Sequence, residues 1–495
     1  MYYLGLDIGS SSVKVAIVEA ATGKSILSLH EPPNEMEILS IHKDWAEQDP
    51  KIWWKHICNA IKRVISESNI NYKKIISIGI SYQMHGLVIL DKKGKPLRNS
   101  IIWCDSRAVE IGNKAFESLG NQYCENNLLN SPGNFTASKL RWVQENEPEL
   151  YEKIHKIMLP GDYVAYKLTG EINTTKNGLS EGIFWDYKNN CVSKELLNYY
   201  GIDKNLIPNI VENFTNQGEV NEKASIETGL PKGITVTYRA GDQPNNALSL
   251  NIFNSGEVAA TGGTSGVIYA VTDSLESKES SRINNFAHVN HSNNEPKIGK
   301  LLCINCAGIQ YRWLLNNLDI DSYDTMNKLA KSIEIGSDGV TILPFGNGAE
   351  RMLNNKTLGT QVSNLNLNLH NKAHLCRAAL EGIAFSFVYG MEIMKNDGVA
   401  SGIIRAGNDN LFQSEIFSET IATLLNQNIE IYNTTGAIGA ARACILHTGN
   451  FEVFGKQIME NDHLKTFKPN QKNKEKYTKA YQHWKSQLEQ LLKNN

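Results

Sequence analysis

Two short turns in this sequence carry the residue types that hold phosphate. Asp7-Ile8-Gly9-Ser10-Ser11-Ser12-Val13-Lys14 sets a glycine, three hydroxyls and an amine behind a carboxylate. Glycine lets backbone approach an anion, and hydroxyls and turn N–H groups donate to phosphate oxygens. Lys14 adds positive charge, and Asp7 at a strand end is able to hold a hydrated Mg2+. A solvated hairpin turn is the other reading of the same residues. Gly262-Gly263-Thr264-Ser265-Gly266 has the same capacity without a charged side chain. Two such turns facing one another would grip a polyphosphate from both sides. That arrangement suits phosphoryl transfer, where positioning and electrostatics supply most of the catalysis. Neither turn is a P-loop, because no G-x-x-x-x-G-K-[ST] pattern occurs.

A third candidate is Arg239-Ala240-Gly241-Asp242-Gln243-Pro244, which follows the β-rich run 234–238. It places the Asp242 carboxylate in a loop at a strand end. Phosphorylating an alcohol needs a base for the hydroxyl proton, and a carboxylate there could serve; an Asx turn would use the same residue. Two metal-like spacings carry less. Cys303 and Cys306 have no second pair at zinc-site distance, and His288 and His291 lack carboxylate or thiolate company. Both pairs read as buried or loop residues.

The elements that must position these groups are α/β in kind. Runs 3–8 and 13–18 flank the first turn, and 258–261 and 267–271 flank the second, so each predicts a hairpin. One opens each half of the chain, which suggests a duplicated architecture. Asp49-Pro50 supplies a cap and a first-turn proline, and Trp53, Ile57, Ala60, Ile61 and Val64 follow at helical spacing. Helices are also expected over 375–394 and at the end, where Tyr477, Tyr481, Trp484, Leu488 and Leu491 step by four and three. Strand-like 75–80 and 402–405 alternate with them. The 495 residues exceed what one core holds, and we place the boundary between domains 1–247 and 248–495.

With 41% hydrophobic and 21% charged residues, the chain has the composition of a globular protein. A net charge of -2 gives no reason to expect nucleic acid or an anionic membrane as partner. The opening residues lack a charged leader, Asp7 interrupts their apolar run, and a cytoplasmic location is expected. The eight cysteines are scattered and read as buried thiols.

Taken in order, several segments resemble the FGGY family of carbohydrate kinases, and within it the xylulokinases. They are DIGSSSVK (7–14), WAEQDPKIWW (45–54), YQMHG (82–86), IIWCDSR (101–107), LPGDYVAYKLTGE (159–171) and AGDQPNNA (240–247), then GGTSG (262–266), LPFGNGAERMLNN (343–355), ALEGIAF (379–385) and GAIGAARA (436–443). Each is weak alone, and the ordered series over nearly the whole chain is specific. The resemblance implies two ribonuclease-H-like domains around a central cleft, as in actin and the Hsp70 ATPase. Sugar would bind mainly to the first domain and nucleotide to the second.

By resemblance, Asp242 is the base and a sugar contact, and Asp7 and Asp242 stand near Mg2+. Gly9, Ser10, Ser11, Lys14, Gly263, Thr264 and Ser265 would contact the phosphates of ATP. Met84 and His85 match the sugar-contacting pair, where glycerol kinases carry Arg-Glu. Trp103, Asp105 and Arg107 lie in the segment bordering the sugar pocket, with Trp103 and Asp105 expected as sugar contacts, since Asp side chains commonly bind sugar hydroxyls. The expected reaction is phosphorylation of a ketopentose, D-xylulose to its 5-phosphate. Another sugar or polyol (ribulose, gluconate, a deoxysugar) is the alternative within the family, and an actin-like ATPase scaffold the alternative outside it. Partners are then a small sugar and ATP, with no nucleic acid or membrane, and with homodimerisation left open.

Three places depart from the family pattern. Where adenine packs, members carry a Gly-Gly-Gly-Ala-(Lys/Arg)-Ser run, and this chain reads Arg405-Ala406-Gly407-Asn408-Asp409-Asn410. Gly407 and Asn408 remain the expected contacts. AGDQPNNA replaces a more glycine-rich base segment. Cys104 stands where xylulokinases commonly have Asn, exchanging an amide for a poor hydrogen-bonding group.

Overall fold

A computed structural model describes all residues except Ser401, Asp409 and Asn495. Strand β1 (Tyr2–Ile8) and β2 (Val13–Glu19) form the expected first hairpin, with Asp7 opposite Lys14. β3 (Ser25–Glu31) continues it antiparallel. Helix α1 (Pro50–Glu67) lies across β2 and β3. The Asp49 side chain caps it by accepting from the Lys51 amide at 3.0 Å, and the predicted apolar stripe Trp53, Ile57, Ala60, Ile61, Val64 is buried. On the other side of β1, β4 (Ile75–Tyr82) and then β5 (Thr235–Gly241) add in parallel, giving the order β3-β2-β1-β4-β5.

The second sheet repeats this plan. β6 (Val258–Gly262) and β7 (Gly266–Thr272) form its hairpin, followed by β8 (Asn284–Ala287), β9 (Ile298–Ile304), β10 (Ile404–Gly407), β11 (Ile429–Tyr432) and β12 (His463–Phe467). The order is β8-β9-β7-β6-β10-β11-β12. Its central five strands, β9-β7-β6-β10-β11, match β3-β2-β1-β4-β5 direction for direction. These are two ribonuclease-H-like domains, the architecture of actin and the Hsp70 ATPase. The strand expected at 402–405 begins later, because the Gly402 amide bonds Gly256 rather than a neighbouring strand.

Helix α2 (Asp242–Ser249) leaves the first sheet directly after β5. Asp242 is therefore the first residue of a helix, not a loop residue as its Gly and Pro neighbours suggest. A first-turn amide has no intrahelical acceptor, so Pro244 costs nothing there, and a carboxylate is favoured at the positive helix end. The boundary drawn at 247 falls inside α2. The long α3 (Lys372–Asn396) is buried on nearly every side in the second core.

Helix α4 (Gly436–Ala443) follows β11 but packs on the first sheet, against β1, β2 and β4. Its small residues and glycines in the strands allow this: a Cβ on Gly5 would lie 1.9 Å from the Ala437 carbonyl, and one on Gly79 1.8 Å from that of Ala440. The closing α5 (Lys474–Asn494) buries Tyr477, Tyr481, Trp484 and Leu488, and the Trp484 indole donates to the Ile342 carbonyl at 2.9 Å.

The free edge of β8 is met by side chains of the first domain. The Asn285 amide donates to Asn130 Oδ1 and the Ala287 amide to Ser180 Oγ, both at 2.8 Å. Asn177 Nδ2 donates to the Ala287 carbonyl at 2.9 Å. These bonds satisfy an edge that would otherwise be open and tie the two domains along one wall of the cleft.

Candidate active site

The two phosphate-type turns belong to the two domains, one at the β1–β2 hairpin and one at β6–β7. At the first, the Gly9 amide closes the turn on the Ser12 carbonyl at 3.0 Å. Ser10 is held by its carbonyl, which accepts Gln48 Nε2 at 2.6 Å, and its hydroxyl accepts the Trp103 indole N–H at 3.4 Å. Gln48 also receives Trp53 and Gln83. The segment 45–54 thus braces the first turn against the segment 82–86. Ser11 and Lys14 are exposed.

Asp7 ends β1. Its Oδ1 accepts from Ser81 Oγ at 2.8 Å, and its Oδ2 lies 4.0 Å from Lys14 Nζ. Gly436, at the start of α4, leaves the carboxylate room, since a Cβ there would sit 2.6 Å from Oδ2. Asp242 opens α2 across from it. Burial first, and the Asp7 carboxylate second, push the Asp242 carboxyl up to about 7. A base poised near neutral pH is what proton transfer from a hydroxyl favours.

Among the described residues no group of three or more His, Cys, Asp or Glu side chains converges as a metal cage. Mg2+ does not need one, because it is held by one or two carboxylates with phosphate oxygens and waters. Asp7 and Asp242 fit that requirement.

Beside Asp242 the chain builds a tight floor. A Cβ on Gly241 would lie 2.5 Å from both Glu181 Oε2 and the Met84 side chain. Met84 is buried, and His85 takes the left-handed backbone conformation at φ 61. The His85 amide donates to Glu181 Oε1 at 3.4 Å, and its ring Nδ1 lies 2.9 Å from the Glu181 carbonyl oxygen. A carbonyl only accepts, so Nδ1 carries the proton. Burial, and then the nearby Lys139 charge, hold this imidazole down at about 3. The ring is neutral and Nε2 is left as an acceptor.

Lys139 Nζ donates to the carbonyls of His85 and Ile102 at 2.9 Å each, joining the 82–86 and 101–107 segments. Burial brings that ammonium down to about 7. Phe135 and Phe286 stand 4.8 and 5.2 Å from the His85 ring, the second from β8 of the other domain.

Trp103 and Cys104 project from a turn that the Asp105 amide closes on Ile102. Both are exposed, so Cys104 is not the buried thiol expected of it. Asp105 differs too. It is fully buried and its carboxylate accepts the Ala46 amide at 2.6 Å and the Arg107 guanidinium at 2.7–3.0 Å. No acceptor is left over for a sugar hydroxyl, because the chain uses Asp105 to neutralise Arg107. Arg107 lies 3.8 Å over the Trp45 ring and also pairs with Glu47 at 2.8 Å.

In the second domain the Gly263 and Thr264 carbonyls accept the Gly308 and Ile309 amides at 3.0 Å, docking a helix start on the turn. A cavity of about 130 Å³ opens there, lined by Gly263, Thr264, Gly308, Tyr311, Arg312 and Gln413 among others. Gln413 Nε2 donates to the Asn408 carbonyl at 3.1 Å, which sets Gly407–Asn408 at its margin. Asp409 lies outside the described residues. His288 is a structural residue, with Nδ1 against Tyr269 Oη at 3.0 Å and Nε2 against the Ile252 carbonyl at 2.9 Å. All eight cysteines are free.

The arrangement sets one glycine- and hydroxyl-rich turn in each domain, with the Asp7 and Asp242 carboxylates together at the first. The FGGY family of carbohydrate kinases matches it twice in sequence: the N-terminal domain profile covers residues 2–249 and the C-terminal profile 258–446. The chain belongs to that family. It is a sugar kinase, a phosphotransferase, and kinases of this family use ATP. It is similar to a xylulose kinase of Staphylococcus xylosus, at 28% identity over 434 residues, 85% of this chain and 87% of that one. A xylulose kinase of Haemophilus influenzae is 27% identical over 504 residues, covering 99% and 100%. A xylulose kinase structure from Brucella ovis superposes with a TM-score of 0.89, at 25% identity and full coverage of both chains. Among the described residues of the kinase no helix is long and apolar enough to cross a membrane.

Glu181, Lys139, Phe135 and Phe286 escaped sequence reasoning. Each reaches His85 only through tertiary packing, and no local spacing announces them.

Proposed function

We propose that this kinase transfers the γ-phosphoryl group of ATP to the terminal hydroxyl of a ketopentose, D-xylulose above others, forming the 5-phosphate. The observation that carries the reading is the pairing of Asp242, poised near 7, with the buried Met84–His85 floor beside it. The xylulose kinases to which the chain is similar support the choice of sugar.

Asp242 takes the proton of the attacking hydroxyl. The sugar oxygen forms its bond to the γ-phosphorus as the bond from that phosphorus to the β,γ-bridging oxygen breaks, and ADP leaves with the electron pair. Mg2+ held by Asp7 and Asp242 would neutralise charge on the phosphate oxygens. The turns at Gly9–Ser11 and Gly263–Ser265, with Lys14, hold the phosphates from both sides. Gly407 and Asn408 border the base. His85 Nε2 accepts from a sugar hydroxyl, Met84 supplies an apolar contact, and Trp103 covers the pocket mouth.

A coupled ADP-release assay over D-xylulose, D-ribulose, L-ribulose, glycerol and gluconate tests this. D-Xylulose is expected to have the highest kcat/KM. A wide margin in favour of glycerol or gluconate would end the ketopentose reading and leave the family assignment standing.

A further inference from the structure

A backbone turn holds an anion only if its polarity is right. Amide N–H groups attract the anion and carbonyl oxygens repel it, so each carbonyl has to be turned aside and satisfied elsewhere. In the turn between β1 and β2 all three serine carbonyls are. That of Ser12 accepts the Gly9 amide at 3.0 Å, that of Ser11 the Met36 amide at 2.8 Å, and that of Ser10 the Gln48 side chain at 2.6 Å. The Ser10, Ser11 and Ser12 amides have no acceptor among the described residues, and none of the three residues is buried. The Ser10 hydroxyl accepts the Trp103 indole N–H, which leaves its own proton to donate. The turn therefore faces outward with donors.

Gln48 governs two of the three carbonyls. It is buried, at 3% exposure. Its Nε2 donates to the Ser10 carbonyl and also to the Glu37 carbonyl at 3.2 Å. Glu37 follows Met36, so the second bond anchors the backbone whose amide holds Ser11. On the other side, Oε1 accepts from Trp53 Nε1 at 3.0 Å and from Gln83 Nε2 at 3.2 Å. Two donors at Oε1 fix which way the carboxamide faces, and all four of its hydrogen-bonding positions are filled.

We propose that Gln48 is a positioning residue for the phosphates of ATP: its two N–H groups hold the Ser10 and Ser11 carbonyls away from the anion, so that the turn meets phosphate with donors alone. This rests on the reading that the Gly9–Ser11 turn holds phosphate. Gln48 touches neither substrate and acts through the turn. Without its N–H groups the Ser10 carbonyl loses its partner and the Met36–Glu37 backbone loses its anchor. Either carbonyl is then free to rotate toward the phosphate, where it repels. Donors already aimed at an anion need no reorganisation when it binds, and that advantage is what the substitution removes.

The test compares wild type, Gln48→Met, Gln48→His and Ser11→Glu, using whichever sugar wild type phosphorylates best. The readouts are KM for ATP and KM for the sugar. Gln48→Met keeps the length of the side chain without its donors. It should raise KM for ATP about tenfold or more, with KM for the sugar within about threefold. Gln48→His keeps one ring N–H and should fall between, and it carries the same comparison if the Met variant does not fold. Ser11→Glu puts a carboxylate into the turn itself and should raise KM for ATP at least as much. Equal rises in the two KM values, or a KM for ATP within about threefold of wild type in both Gln48 variants, would overturn the inference while Ser11→Glu still upholds the turn. If Ser11→Glu leaves KM for ATP unchanged, the turn does not hold phosphate, and this inference falls with that reading.

Discussion

His85 Nδ1 donates to the backbone carbonyl of Glu181 at 2.9 Å, while the Glu181 carboxyl receives the His85 amide. One residue thereby fixes the tautomer, the ring orientation and the left-handed backbone of another. A left-handed backbone is uncommon outside glycine, and at His85 the Glu181 contacts hold it.

From this pairing, His85→Leu should raise KM for the sugar about ten- to a hundredfold, the worth of one buried hydrogen bond, with KM for ATP unchanged. The wild-type imidazole, held down at about 3, should stay neutral from pH 5 to 9. Nitrogen-15 chemical shifts of the ring report this directly. Titration near 6.5 would mean that Nδ1 is not locked.

Asp242→Asn keeps the shape of the side chain and removes its basicity. We expect kcat to fall about 10²- to 10⁴-fold, the usual contribution of a general base, with ATP binding retained by calorimetry. A variant with most of its kcat would remove Asp242 from the chemistry.

The same residue sets a pH dependence. As the proposed base, Asp242 must be ionised, and burial with the Asp7 carboxylate raises it to about 7, so the active fraction should fall as pH drops through 7. The logarithm of kcat/KM should rise with unit slope below that value and flatten above it. An acidic limb found only below pH 5 would show that Asp242 titrates as an ordinary carboxylate.

Arg107 is buried between Asp105 and Glu47. Arg107→Met should leave the buried Asp105 without a cation, while Glu47 keeps Arg98, and cost about 3–5 kcal/mol, read as a lowered denaturation midpoint. If stability is unchanged, the stacking of Arg107 on Trp45 is not what holds the 101–107 segment.

Because the two turns proposed to hold phosphate lie in different domains, sugar and an ATP analogue together should draw the cleft shut. Small-angle scattering should record a smaller radius of gyration with both ligands than with either alone. An unchanged radius would indicate a cleft already closed, held by the β8 edge bonded to Asn130 and Ser180.

Local signals in the chain announced both hairpins, α1 with its Asp49 cap, and the terminal helix, because caps, prolines and apolar spacing act over a few residues. Asp7, Met84, His85 and Asp242 were visible through ordered motif resemblance. Asp242 as a helix start was not, since Gly and Pro mark loops and first turns alike. Asp105 looked like a sugar ligand because a sequence does not say that Arg107 will claim both its oxygens. Glu181 and Lys139 come from segments far from 82–86, and only the folded chain brings them to His85.

Helix α4 also bears on how the protein is made. Its backbone lies on Gly5 and Gly79, in β1 and the neighbouring β4, both far earlier in the chain. The part of that sheet face lying under α4, beside α2, has no cover until residue 443 has been added. The nascent first domain must therefore wait, with apolar surface exposed, while almost the entire second domain is synthesised, and this long interval is where chaperone engagement would protect it.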